Sequence, residues 1–134
     1  MSAKTFTATA QIPATRVSNL LCSAFEGGSN YWYCIKSFVT PPALEFRFDE
    51  DNKTIFRHLD YPLNDGGALI IVDIEDDRGQ SYKLDLESIQ KGITIMSGDP
   101  KYAQHWADFI GENDDATTGD VFLQLCLFGE IVYG

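Results

Sequence analysis

Residues 20–39 read LLCSAFEGGSNYWYCIKSFV, and a change of hydrophobic period inside this stretch decides the fold class. Up to residue 25 the apolar positions Val17, Leu20, Leu21, Ala24 and Phe25 recur at i, i+3, i+4, i+7 and i+8, the stripe of an amphipathic helix. Gly27 and Gly28 follow, and they predict a left-handed cap at the helix end. From Tyr31 to Val39 the residues are aromatic and β-branched and predict a strand, with Trp32, Cys34 and Lys36 on one face and Tyr31, Tyr33 and Ile35 on the other. A helix that gives way within a few residues to a strand is the first half of an α+β pattern.

Upstream, TFTATAQI at 5–12 is Thr-rich and partly alternating, which predicts an opening strand closed by Pro13. Downstream, Pro41-Pro42 break any helix, and Leu44, Phe46 and Phe48 then alternate with Glu45 and Arg47 ahead of an acidic turn at 49–53. The stretch 54–67 is irregular, carries Arg57 and His58, and ends in Gly66-Gly67, so it reads as a connector. ALIIVDIED and SYKLDL flank Asp77-Arg78-Gly79, a hairpin signal with glycine available for a positive φ.

Asp85 is placed to cap a helix whose Leu86, Ile89, Ile93 and Met96 keep helical spacing. Asp99-Pro100 opens another helix, with Tyr102, Trp106, Phe109 and Ile110 on one face and Gly111 at its end. Thr117-Thr118-Gly119-Asp120 has the form of a capping box before a segment, 121–128, that is apolar nearly all round. Such a helix sits at the centre of a domain or at a subunit interface. Gly129 caps its end, and EIVYG finishes as an extended tail. Together these elements predict one α+β domain over 1–134: an antiparallel sheet with about four helices packed mainly on one side.

Composition narrows function mainly by exclusion. With 44% hydrophobic residues, 134 residues can form a core without staples. The 10 basic residues against 20 acidic ones give a formal charge of -10, a field that repels nucleic acid and anionic membranes and favours basic protein faces. Cys22, Cys34 and Cys126 form no C-x-x-C pair, which argues against a disulfide framework or a zinc site and for reduced thiols. No apolar run approaches the roughly 20 residues of a membrane span.

His58 and His105 lack partners at metal-ligand spacing, and no phosphate loop, dinucleotide fingerprint or nucleophile elbow is present, so neither metal, cofactor nor enzymatic activity is expected. Cys22 or Cys34 with His58 offers a nucleophile and base only if they meet in space. Two sites remain open. The segment Gly27, Gly28, Ser29, Asn30, Tyr31, Trp32, Tyr33 combines a turn, polar groups and rings able to stack on a base, with Arg47, Arg57 and Lys36 as phosphate partners. The plainer reading of the same rings is core or dimer contact. The acidic clusters at 49–52, 73–77 and 112–115 are solvated turns or, alternatively, a surface that imitates nucleic-acid phosphates toward a basic partner.

Three segments, Arg16-Val17-Ser18 through LLCSAFEGGSNYWY, then YPLNDGGALIIVD, and finally DDATTGDVFLQLCLFGEIVYG, resemble a group of small proteins carried by bacteriophages and prophages. The resemblance covers most of the chain and transfers no catalytic or binding residue. It implies a phage-encoded protein of the infected cell's cytoplasm, of a kind that is often an accessory factor, inhibitors of bacterial immunity among them. The leading expectation is therefore a non-enzymatic counter-defence protein that sequesters a small nucleotide-type signal as a homo-oligomer. The alternative is an acidic inhibitor of a defence nuclease.

Overall fold

The computed structural model of the chain describes Lys4, Phe6, residues 8–42, 47–48, 54–55, Leu59 and 61–134. The elements in chain order are α1 (Ala14–Ser23), a π-turn (Ala24–Gly28), β1 (Tyr33–Val39), β2 (Arg47–Phe48), β3 (Thr54–Ile55), β4 (Ala68–Asp73), β5 (Ser81–Leu84), α2 (Leu86–Gly98), a 3₁₀ turn (Pro100–Tyr102), α3 (Ala103–Ile110) and α4 (Ala116–Phe128). The fold is α+β: an open antiparallel sheet in the order β1-β4-β5, a separate β2-β3 pair, and four α-helices among the described residues.

Strand β4 is central. Leu69 and Ile71 are fully buried while Ile70 and Val72 are half-buried, so one face carries the core. Across β5 the same face holds Leu84 opposite Leu69 and Tyr82 opposite Ile71. On β1 the pairing slips between Ile35 and Ser37, a bulge that leaves Lys36 without an opposite number. Gly79 takes φ +60 in the turn between β4 and β5, as the Asp-Arg-Gly signal requires.

The core is organised around α4, where every residue from Thr118 to Leu127 is buried. The all-round apolar helix therefore lies at the centre of a single chain, and its hydrophobic surface is satisfied without a second copy. Around it pack Val17, Leu20, Leu21 and Ala24 of the first helical segment and Ile89 and Met96 of α2. Trp32, Phe109 and Phe122 are the largest fully buried rings, each worth roughly 2–3 kcal/mol of burial. The helices approach closely where glycine allows it: a β-carbon on Gly92 would lie 2.4 Å from Cys126 Sγ, and one on Gly119 2.8 Å from the Ala24 amide. Arg16 ties the start of α1 to the α3–α4 connection. Its guanidinium sits 4.7 Å above the Phe109 ring, donates to the Phe109 carbonyl, and pairs with Glu112 and Asp114 at 3.6 and 3.7 Å.

Several sequence expectations need correction. The described residues between Lys4 and Pro13 form no strand; Phe6 and residues 8–11 are exposed. The helix after Pro13 does not end in a left-handed glycine. Gly27 has φ 175, and the chain leaves through a π-turn closed by the Ser29 amide donating to the Ala24 carbonyl at 2.9 Å. Strand β1 begins at Tyr33, not Tyr31, since the Trp32 amide donates to the Ser29 carbonyl and makes residues 29–32 a turn. The cap of α4 is Asp115, whose carboxylate accepts from the Thr118 amide at 3.0 Å, not Thr117. The Asp85 cap of α2 and the left-handed Gly129 after α4, φ +78, are as expected. The alternation at Leu44 and Phe46, the acidic turn at 49–53, and Arg57 and His58 lie outside the described residues.

Candidate functional site

With Asp115 capping α4, Asp120 and Gln124 fall four residues apart on one face of an otherwise apolar helix. That face meets the turn Ser29–Trp32. Gly28 allows the approach, because a β-carbon there would lie 2.2 Å from the Ala116 carbonyl oxygen.

Asp120 is buried and accepts four hydrogen bonds from neutral groups. Ser29 Oγ and Trp32 Nε1 donate to Oδ1 at 2.7 Å each, Gln124 Nε2 donates to Oδ1 at 3.2 Å, and the Tyr31 hydroxyl donates to Oδ2 at 2.7 Å. No ion pair to Asp120 occurs among the described residues. A buried carboxylate without a cation is tolerable only when its lone pairs are used in this way. Burial of the Tyr31 hydroxyl, reinforced by its bond to Asp120, raises its pKa from 10.0 to about 12.

Gln124, fully buried, turns the other side of its amide to the last residues of the chain. Its Oε1 accepts from the amides of Val132 and Tyr133 at 2.8 Å each, and its Nε2 donates to the Tyr133 carbonyl at 3.0 Å. The Tyr133 ring stacks on Trp32 with centroids 5.8 Å apart and planes inclined by 22°. Its hydroxyl donates to Asp73 Oδ2 at 2.6 Å, which raises the Tyr133 pKa from 10.0 to about 12. Phe128 packs its ring against Trp32 at 5.1 Å and against Tyr82 at 4.9 Å.

Beside this aromatic group opens a hollow of about 570 Å³. Tyr82, Phe128 and Tyr133 form its apolar wall, and Asp73, Glu75, Asp76 and Asp77 its acidic side. Arg78, the one basic side chain of the lining, is held by Asp76, with Nε 3.3 Å from Oδ1. The bonds from Arg78 hold the Asp76 carboxyl below its ordinary range. A hollow with a net negative lining and aromatic faces suits a cationic group.

The residues picked out by sequence divide accordingly. Ser29 and Trp32 are buried and bonded to Asp120, and Tyr33 donates its hydroxyl to the Phe25 carbonyl at 3.1 Å. Asn30 is exposed, and Tyr31 is 45% exposed but gives its hydroxyl to Asp120. Gly27 has open space around it, while Gly28 is packed on α4. The backbone of Arg47 lies in β2; its side chain and Arg57 are outside the described residues. His105 is half-buried on α3, with no partner for Nδ1 among the described residues. Among the described residues no group of His, Cys, Asp and Glu is placed to hold a metal. Cys126 is buried, which raises its thiol pKa, Cys34 is exposed and Cys22 is half-buried. Of the acidic clusters, 112–115 serves Arg16 and the α4 cap, and 73–77 lines the hollow.

Gln124 and Tyr133 were not singled out from sequence; Asp120 entered only as a capping-box residue and Asp73 only within the acidic cluster 73–77. The available signal was Asp120 and Gln124 themselves, two polar residues one turn apart in a helix that otherwise reads as core. Among the described residues no helix is long and apolar enough to cross a membrane. No protein-family model matches the chain, and neither a search of curated proteins nor one of solved structures finds a match.

Proposed function

We propose that this chain is a non-enzymatic binding protein that docks its acidic β4–β5 face on a basic surface of a partner protein. In the setting implied by the resemblance to phage proteins, the partner is a bacterial defence nuclease in the host cytoplasm, and docking fills the channel that holds its nucleic acid. The observation that carries this reading is the hollow: four carboxylates against one guanidinium, already bonded to Asp76, beside the rings of Tyr82, Phe128 and Tyr133. Arginine and lysine side chains of a partner would find both charge and aromatic faces there. The reading takes the helices to pack mainly on one side of the sheet, which the burial of Leu69, Ile71 and Leu84 supports.

Sequestration of a nucleotide signal at residues 27–33 is less favoured. Ser29 and Trp32 spend their polar groups on Asp120, and the carboxylates nearby oppose a phosphate. The test is competition: a DNA-binding defence nuclease is titrated with the protein and release of labelled DNA is followed at two salt concentrations. Release that weakens with salt and is lost in the Glu75→Lys, Asp77→Lys variant supports the proposal. Equal release by that variant would sink it. Intact nucleotide released on heating the protein after incubation with cyclic oligonucleotides would favour the sequestering reading instead.

A further inference from the structure

We propose that residues 130–134 form a displaceable strap over a second site, one that takes a planar, uncharged heteroaromatic ligand of the nucleobase or nucleoside class. This goes beyond the docking reading and does not depend on it.

The strap is open to solvent along most of its length. It has no regular secondary structure, Glu130, Ile131, Val132 and Gly134 are exposed, and Tyr133 is half-buried. It follows Gly129, whose left-handed backbone marks the end of α4 and supplies a pivot. What lies beneath it is the reverse, a rigid and buried set of recognition groups. The Trp32 indole is fixed by its bond to Asp120, and Gln124 is fixed by the same carboxylate.

The strap's contacts describe the ligand that could replace it. A ring stacks on Trp32 at 5.8 Å and 22°, as a base would. The Gln124 amide uses both its acceptor and its donor on backbone groups of Val132 and Tyr133. The same amide pairs with an adenine edge, giving one bond and receiving one. A hydroxyl reaches Asp73 Oδ2 at 2.6 Å, a place a ribose hydroxyl could take. Displacing the strap uncovers the Gln124 amide and the Trp32 face together, and a planar ligand that pairs with the one and stacks on the other restores both contacts at once. Asp73, Glu75, Asp76 and Asp77 beside the site select against phosphate. A nucleoside therefore fits better than a nucleotide. Because the strap competes, the apparent affinity of the intact chain is lowered by the fraction of time the strap is open.

The test uses the full chain carrying Trp106→Phe, so that Trp32 alone reports, with and without Tyr133→Ala. Adenosine is expected to quench Trp32 saturably in the Tyr133→Ala protein, at least about tenfold more tightly than with the strap intact. AMP should bind that variant more weakly than adenosine. Absence of saturable quenching in a Tyr133→Ala protein that keeps its near-UV circular dichroism would overturn the proposal. So would binding of a synthetic Glu-Ile-Val-Tyr-Gly peptide without binding of adenosine, which would make the site a peptide groove. Should Tyr133→Ala fail to fold, hydrogen exchange of the unmodified chain decides. The Val132 and Tyr133 amides must exchange at least about a hundredfold faster than those in the middle of α4. Exchange of both sets at one rate would mean that the strap opens only with global unfolding, and the site would not exist.

Discussion

The indole nitrogen of Trp32 donates to Oδ1 of Asp120 at 2.7 Å, joining the turn before β1 to the middle of the central helix. Ser29, Tyr31 and Gln124 complete the shell of that carboxylate. Replacing Asp120 by Ala would strand the donors of Ser29, Trp32 and Gln124, each worth about 1–3 kcal/mol when left unmade in the interior, so a loss of about 3 kcal/mol or more is expected in urea unfolding. Asp120→Asn keeps one acceptor oxygen and should cost less. Equal stability of Asp120→Ala and the unmodified chain would show that the shell is satisfied in some other way.

The adjacent glycines should respond oppositely. Gly28→Ala drives a β-carbon to within 2.2 Å of the Ala116 carbonyl oxygen and has to push the π-turn off α4, at a cost of about 1–3 kcal/mol. Gly27→Ala meets nothing within 4 Å and should change stability by no more than about 0.5 kcal/mol. Thermal melts of the two variants make the comparison, and similar shifts for both would contradict it.

Those glycines also show how much of the fold could be read in advance. Helix positions, the Asp85 cap and the hairpin glycine follow from spacing and local chemistry, and these are in place. Features decided by distant partners were not legible. Tyr31, Trp32 and Tyr33 look like consecutive strand residues, yet the turn at 29–32 lets Trp32 point into the core next to inward-facing Tyr33. Thr117 and Asp120 have the spacing of a capping box, yet Asp115 starts the helix and Asp120 meets residues about ninety positions away. The candidate site was legible only as an acidic cluster at 73–77, because its aromatic wall is gathered from β5, the end of α4 and the final residues.

Thiol reactivity should follow burial. Cys34 is exposed and should alkylate first, whereas Cys126, buried with its thiol pKa raised, should react only in denaturant. Mass spectrometry of peptides after brief treatment with iodoacetamide gives the order. Early labelling of Cys126 would show that α2 and α4 separate readily.

Alkaline titration should show late tyrosines. Tyr31 and Tyr133 ionise near 12 in the folded chain and near 10.0 when unfolded. The folded state thus holds these two protons more tightly. Their contribution to stability is complete below pH 10 and is lost as pH rises through about 12. Phenolate absorbance measured against pH, with and without denaturant, tests this. Asp73→Asn should lower the Tyr133 pKa and leave Tyr31 in place; an unchanged profile would remove Asp73 as the cause.

The carboxylate of Asp120 sits 91 residues from Ser29 and 88 from Trp32 along the chain. Such pairs form only after a long loop has closed, so the carboxylate leaves water late, when both ends of the molecule have already come together. Asp120→Asn is therefore expected to speed unfolding while leaving the folding rate nearly unchanged, a split that stopped-flow chevrons resolve. In the cell this makes one buried charge a clasp on lifetime: it governs how long a folded molecule lasts, and hardly at all how soon it forms.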